Sequence, residues 1–280
     1  EESGERYDAA RVDPFLAAGP EMVDYFERNT RVRFVLGDSY PDYHPDRRGG
    51  TPGGRAICAV PFNGRELGTQ LAHLRPPVRE LTLFGLKVGS GPDFRHFFTA
   101  RRSLKSAAYV AGRIVHHAAD VLRYGRDVML MNGNALVGRL AVSAFDAGVP
   151  LWLASPVLSL VSADGRVSGA WVRHDGNRTR VHARRAVILA SGGFAQDPQR
   201  RKEVYAHAPD AGEHYSLAAP GNTGDGLSMA ETLGGYLDPN YTNAGAWMPM
   251  SRVPRADGSH ATYPHSFDRG KPGAVLVSAA

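Results

Sequence analysis

Cysteine is almost absent. A single residue, Cys58, stands among 280, so no internal disulfide can form and a structural zinc site built from cysteines is excluded. Long apolar runs are missing too: nothing approaches the roughly 18 residues that cross a bilayer, and the first residues lack the basic start and apolar centre of a secretory leader. A cytoplasmic location is the expectation. Internal repeats and low-complexity tracts are lacking, and so is any Gly-x-Gly-x-x-Gly, the turn that would set a pyrophosphate on the first helix of a dinucleotide-binding unit. Charge is not concentrated either. The formal net charge is +5, but the arginines are scattered in pairs (Arg47-Arg48, Arg101-Arg102, Arg184-Arg185, Arg200-Arg201) with no aromatic strand motif beside them to stack bases. That pattern disfavours a nucleic-acid partner, and the modestly basic surface favours anionic ligands.

What is present is an ordinary globular composition, 42% hydrophobic and 22% charged, long enough for one large domain or one and a half. Both ends read as those of a fragment of a longer protein, since Glu1-Glu2-Ser3-Gly4 opens without a cap and Val275-Leu276-Val277 reads as an interrupted strand. Asp13-Pro14 signals a helix start, and Gly19-Pro20 leaves two short helices as plausible as one. Residues 37–68 are rich in proline and glycine and read as loops that cover a site or a neighbouring domain. The stripe Leu104, Ala108, Ala111, Val115, Ala118, Leu122 predicts a helix up to Tyr124 with Gly125 as its left-handed cap. A second helix runs from about Asn134 to Gly148, and Val149–Leu153 begins a strand. His116-His117 sit on a helix where adjacent residues point apart, so no metal pair is expected.

Residues 155–182 read as an antiparallel meander, its strands separated by Ala163-Asp164-Gly165-Arg166 and Asp175-Gly176-Asn177. After it, Ala186–Ala190 is an unbroken apolar run ending in Ser191-Gly192-Gly193, the pattern of a buried parallel strand reaching its carboxyl end, where ligands bind. Asp197-Pro198 starts a helix. Thr223-Gly224-Asp225-Gly226 opens another, with Asp225 as the expected N-cap. Each glycine turn has a plain reading as well, a tight turn or a capped helix; together they point to a nucleotide cofactor lying across strand ends.

In order along the chain, Gly133-Asn134-Ala135-Leu136, Pro156-Val157, Asp164 to Gly169, Ala186 to Phe194 and Thr223 to Ala230 resemble the FAD-dependent flavoproteins of the fumarate reductase and succinate dehydrogenase type. The likeness covers about residues 100–240. The leading segment (Ala18–Val23, Pro41-Asp42-Tyr43, Gly53-Gly54-Arg55, Pro61–Gly68) is more similar to the 3-ketosteroid dehydrogenase-like branch. The resemblance implies an α/β fold: an FAD-binding Rossmann-like domain over residues 1–238 with an inserted antiparallel meander, lacking its N-terminal βαβ unit. The start of a substrate-covering domain would occupy residues 239–280.

It further implies that Val157 meets the adenine with its backbone and that Ala190, Ser191, Gly192 and Gly193 line the FAD. Asp225, with Thr223 and Gly224 shaping its loop, would face a hydroxyl or ring N–H of the cofactor. The implied reaction is dehydrogenation or reduction of a CH–CH bond next to a carbonyl, with an unspecified electron acceptor. Where fumarate-reducing members carry His-Pro-Thr, this chain has Ala246-Trp247-Met248-Pro249, which offers apolar surface and no cationic clamp. An apolar, steroid-like substrate suits Trp247, Met248 and Met250 better than a dicarboxylate, though a plain interdomain contact would use them equally. Tyr263, His265 and Arg269 are candidates for moving a proton. The alternatives are a fragment without activity of its own and a fumarate reductase-like dicarboxylate enzyme.

Overall fold

The computed structural model describes residues 7–37, 40–42, 44–205, 214–238, 245 and 248–265; Trp247, Arg269 and the terminal Val275–Ala280 lie outside them. The chain is mixed α/β and divides into two compact units, Glu1–Pro150 and Leu151–Ala280. Among the described residues every sheet is small and antiparallel.

In the first unit, helix α1 (Ala9–Asn29) is continuous, although Pro14 and Pro20 lie inside it. Asp8 caps it by accepting from the Ala10 amide at 3.0 Å, so the helix begins a turn before the expected Asp13. Strands β1 (Phe34–Gly37) and β2 (Ala56–Ala59) pair as a hairpin. Short strands β3 (Phe62–Asn63) and β4 (Met129–Leu130) pair under helix α4 (Asn132–Asp146). The core of the unit gathers there: Phe62, Leu67, Leu71, Val128, Leu130, Ala135 and Val142 are all buried together. Gly138 permits this, because a Cβ on it would stand 2.9 Å from the Phe62 ring.

Helix α2 (Pro92–Thr99) precedes α3 (Leu104–Tyr124), which ends on Gly125 at φ +72° as predicted. The predicted stripe of α3, however, is its solvent face: Leu104 is 92% and Leu122 90% exposed, and Ala108, Ala111, Val115 and Ala118 are exposed with them. The inward face is polar. Its buried residues are Ser106 and Asp120, and Arg113 reaches from it to the buried Asp93, which also accepts from the Tyr109 hydroxyl at 2.6 Å. An apolar stripe marks the side of a helix that seeks cover, and no described element supplies cover here.

Val149–Leu153, where the first unit ends and the second begins, is exposed coil and not the expected strand. The meander follows as read: β5 (Val157–Ala163), β6 (Arg166–His174) and β7 (Asn177–His182), with β6 central. Both turns have paired positive φ, 52° and 70° at Asp164-Gly165 and 49° and 79° at Asp175-Gly176, the geometry that matches the twist of the strands it joins. Ala186–Ala190 forms no strand. It is irregular and largely exposed, with Ile188 at 86%. A strand needs neighbouring N–H and C=O groups on both edges, and no described strand offers them to this run.

Helix α5 (Pro198–Val204) is capped by Asp197, whose carboxylate accepts from the Gln199 and Arg200 amides. Helix α6 (Asp225–Glu231) follows. Further along, β8 (Met250–Pro254) and β9 (His260–Pro264) form a hairpin turned at Gly258 with φ +81°.

Candidate functional site

The two glycine segments, about thirty residues apart in sequence, meet. The Gly224 amide donates to the Gly193 carbonyl at 3.0 Å, and the Gln196 amide donates to the Asn222 carbonyl at 2.9 Å. The Gln196 side-chain amide reaches Ala218 O at 2.8 Å. Close approach depends on absent side chains. A Cβ on Gly192, which sits at φ +87°, would lie 2.6 Å from Asn222 Oδ1, and one on Gly226 would lie 2.5 Å from Ser191 Oγ. Those two glycines therefore serve the contact between the segments.

Gly193 is different: nothing stands within 4 Å of where its Cβ would be. Ala190, Ser191, Gly192 and Gly193 are all exposed, and among the described residues the amides of 191–193 donate no hydrogen bond. An accessible run of unpaired amides beside an open glycine is what an extended polar ligand such as a dinucleotide requires. Asp225 is the first helical residue of α6 and not its cap; Gly224, left-handed at φ +79°, holds the cap position. The exposed Asp225 carboxylate accepts from the Thr223 hydroxyl at 2.8 Å.

Behind this turn, α5 and α6 are joined by Arg200, which grips Glu231 through both carboxylate oxygens at 2.8 and 2.9 Å and Ser228 Oγ at 3.0 Å. The fork holds the Glu231 carboxyl below the ordinary carboxylate range. A cavity of about 330 Å³ opens beside Gly193, lined also by Phe194, Tyr205, Tyr215, Met248 and Met250. Burial raises the Tyr205 hydroxyl, opposed by the charge of Arg201.

The structure thus brings together Ser191, Gly192, Gly193, Thr223, Gly224 and Asp225, and adds Met248 through the cavity. It does not join Val157 to them; that residue opens β5, paired with Val172, and no hydrogen bond links it to either glycine turn. Tyr263 and His265 lie at the end of the β8–β9 hairpin with ring centroids 5.2 Å apart, and His265 Nε2 meets Ser251 Oγ at 2.6 Å. Neither lines the cavity. The sequence assigned no role to Asn222, Gln196, Arg200 or Glu231. Only Asn222, next to the Thr-Gly-Asp-Gly motif, carried a local signal. Among the described residues no three metal-ligating side chains cluster, and no helix is long and apolar enough to cross a membrane.

A mixed α/β chain whose Ser191–Gly193 turn is stitched to a second glycine loop, with free amides on its open side, has the form of a nucleotide-cofactor binder. A family model for the FAD binding domain matches residues 1–280. The chain belongs to that family, whose cofactor is FAD. It is 38% identical over 272 residues to 4-oxocyclohex-2-ene-1-carboxylate 5-dehydrogenase of Sinomonas cyclohexanicum, covering 97% of this chain and 46% of that protein. Similarity to 3-oxosteroid 1-dehydrogenase of Mycobacterium tuberculosis (strain ATCC 25618 / H37Rv) is 36% over 245 residues, covering 84% and 42%. Among solved structures, 3-ketosteroid delta1-dehydrogenase from Sterolibacterium denitrificans in complex with 1,4-androstadiene-3,17-dione superimposes with a TM-score of 0.75 at 28% identity, covering 88% of this chain and 44% of that one. The chain spans less than half the length of these relatives.

Proposed function

We propose that this chain is the cofactor-holding part of an FAD-dependent dehydrogenase that desaturates a CH–CH bond next to a ring ketone. The observation that carries the reading is the junction of residues 191–193 with residues 222–226, which leaves Gly193 open and three amides unpaired. Ser191, Gly192 and Gly193 hold the cofactor by their backbone, while Thr223, Gly224 and Asp225 face its hydroxyls. Val157 meets the adenine. FAD, when bound, supplies the hydride-accepting chemistry. The protein excludes water, orients the ketone and takes the second hydrogen as a proton.

Tyr263 and His265 are the groups proposed for that proton, with His265 oriented by Ser251. Met248 and Trp247 give the ring an apolar bed, which favours a cyclic ketone over a dicarboxylate. In the complete protein residues 186–190 become an interior strand of a parallel sheet in the domain spanning 1–238, and residues 239–280 open the substrate-covering domain. The exposure of Ile188 supports a second point, that residues 1–280 alone have no turnover.

The test is purification of the full-length protein and assay, with an artificial electron acceptor, against a 3-oxosteroid, 4-oxocyclohex-2-ene-1-carboxylate and succinate. Bound flavin and desaturation of one of the two ketones is the expected result. Protein that retains no flavin, or that oxidises succinate and neither ketone, overturns the proposal.

A further inference from the structure

A second cavity, about 380 Å³, lies wholly within the first unit, between α3, β4 and the 76–87 loop. It falls in the size range of small-molecule sites, roughly 300–1,000 Å³. Its walls are of two kinds. Pro76, Pro77, Val121, Leu130, Met129 and Met131 give an apolar bed, whereas Arg79, Lys87 and Arg126 bring three cations against one carboxylate, Asp127.

Buried polar atoms without a hydrogen bond cluster here. They are Arg126 Nη2, His117 Nδ1 and Asp127 Oδ2, on residues that all line this cavity. His117 and Asp127 stand 3.2 Å apart, with side chains only 14% and 10% exposed, yet they are not aligned for a hydrogen bond, and the other ring nitrogen of His117 is already 3.2 Å from Phe84 O. Arg126 uses Nη1 on the Leu71 and Leu74 carbonyls and leaves Nη2 with no acceptor. A buried guanidinium N–H left unmade is costly, so its presence beside a cavity calls for an acceptor in that cavity. Lys87 makes no ion pair or hydrogen bond with its side chain among the described residues, and burial lowers its pKa; an anion placed beside it would reverse that shift.

We propose that this cavity is a binding site for a small carboxylate with an apolar, ring-sized body, its carboxylate between Arg126 Nη2 and Lys87 and its body against Met129, Met131 and Val121. A cation is excluded by the three positive side chains. A neutral apolar ligand would leave Arg126 Nη2 unpaired. The inference rests on the first unit alone and stands or falls independently of the flavin reading.

Methionine-methyl NMR on the full-length holoprotein tests it, since Met129 and Met131 line this cavity whereas Met248 and Met250 line the other. The probes are cyclohexanecarboxylate and its neutral isostere cyclohexanecarboxamide. Expected are saturable shifts of the Met129 and Met131 methyls by the carboxylate, at least about tenfold weaker binding of the amide, and a loss of about tenfold for the carboxylate in Lys87→Met and Arg126→Gln. Arg126 also holds two carbonyls, so Lys87→Met, which removes no hydrogen bond, decides if the other variant does not fold. Absence of shifts at Met129 and Met131, equal binding of the amide, or an unchanged carboxylate affinity in Lys87→Met overturns the proposal.

Discussion

Replacing Gly226 with alanine puts a methyl 2.5 Å from Ser191 Oγ, against an ordinary contact of 3.4 Å or more. If the Ser191 hydroxyl keeps its rotamer, the glycine turn or the α6 start must give way by nearly an ångström; if it turns aside into solvent, the cost is small. Overpacking of this kind costs about 1–3 kcal/mol, offset by about 1 kcal/mol because alanine is the better helix former. Gly226→Ala is therefore expected to lower the stability of the apoprotein by up to about 2 kcal/mol and to weaken FAD binding by displacing the 191–193 amides.

A double-mutant cycle isolates the contact. Ser191→Ala removes only the hydroxyl, and the Ser191 Cβ lies 3.9 Å from the new methyl, a comfortable distance. The double variant should recover what Gly226→Ala lost, and the pair should couple by about 1–3 kcal/mol. Denaturant unfolding of the four apoproteins measures the coupling, and flavin-fluorescence titration of the same proteins follows the cofactor. Additivity within about 0.5 kcal/mol would show that the hydroxyl turns aside and refute the claim that Gly226 is needed to admit Ser191.

Two further outcomes follow from the ion pairs. Arg113→Leu leaves Asp93, only 4% exposed, without its cation, and thermal unfolding should show a loss of about 3–5 kcal/mol; a loss below about 1 kcal/mol would show that the Tyr109 hydroxyl and the Gly89 amide, which also donates to the Asp93 carboxylate, suffice. Glu231→Gln tests the fork on Arg200. Because the folded-state pKa of Glu231 is lowered, its contribution is fully present above the ordinary carboxylate range and is lost as pH falls through the lowered value. The variant should lose stability at neutral pH and show a flatter stability profile on the acid side than the parent; parallel profiles would remove the fork from the account.

Local signals were legible in the sequence, and long-range cover was not. The Asp-Gly turns, the Gly125 cap and the Asp197 cap are each decided within four residues, and each appears where the sequence puts it. The run Ala186–Ala190 and the stripe from Leu104 to Leu122 announce only that they want burial; what buries them depends on residues elsewhere, and the described units do not provide it. Asp225 yielded the cap position to Gly224 because the left-handed conformation there, at φ +79°, turns the loop into the helix. Gln196 and Arg200 act through partners Ala218, Asn222 and Glu231, too far along the chain for spacing to reveal. The candidate cofactor turns were readable because an apolar run ending in glycines and Thr-Gly-Asp-Gly are motifs in themselves, and their joint facing of one cofactor was read from those motifs; the Gly224–Gly193 and Gln196–Asn222 hydrogen bonds that join them have no signature in spacing.

The meander has a kinetic consequence. Its three strands are joined by two-residue turns, so every pairing in it links residues close in the chain, the kind of contact that closes in microseconds. The junction of Gly193 with Gly224 must instead enclose a loop of about thirty residues, at a larger entropic cost. Residues 157–182 should thus acquire hydrogen-exchange protection first in refolding, with the Gly193–Gly224 junction maturing on a later phase.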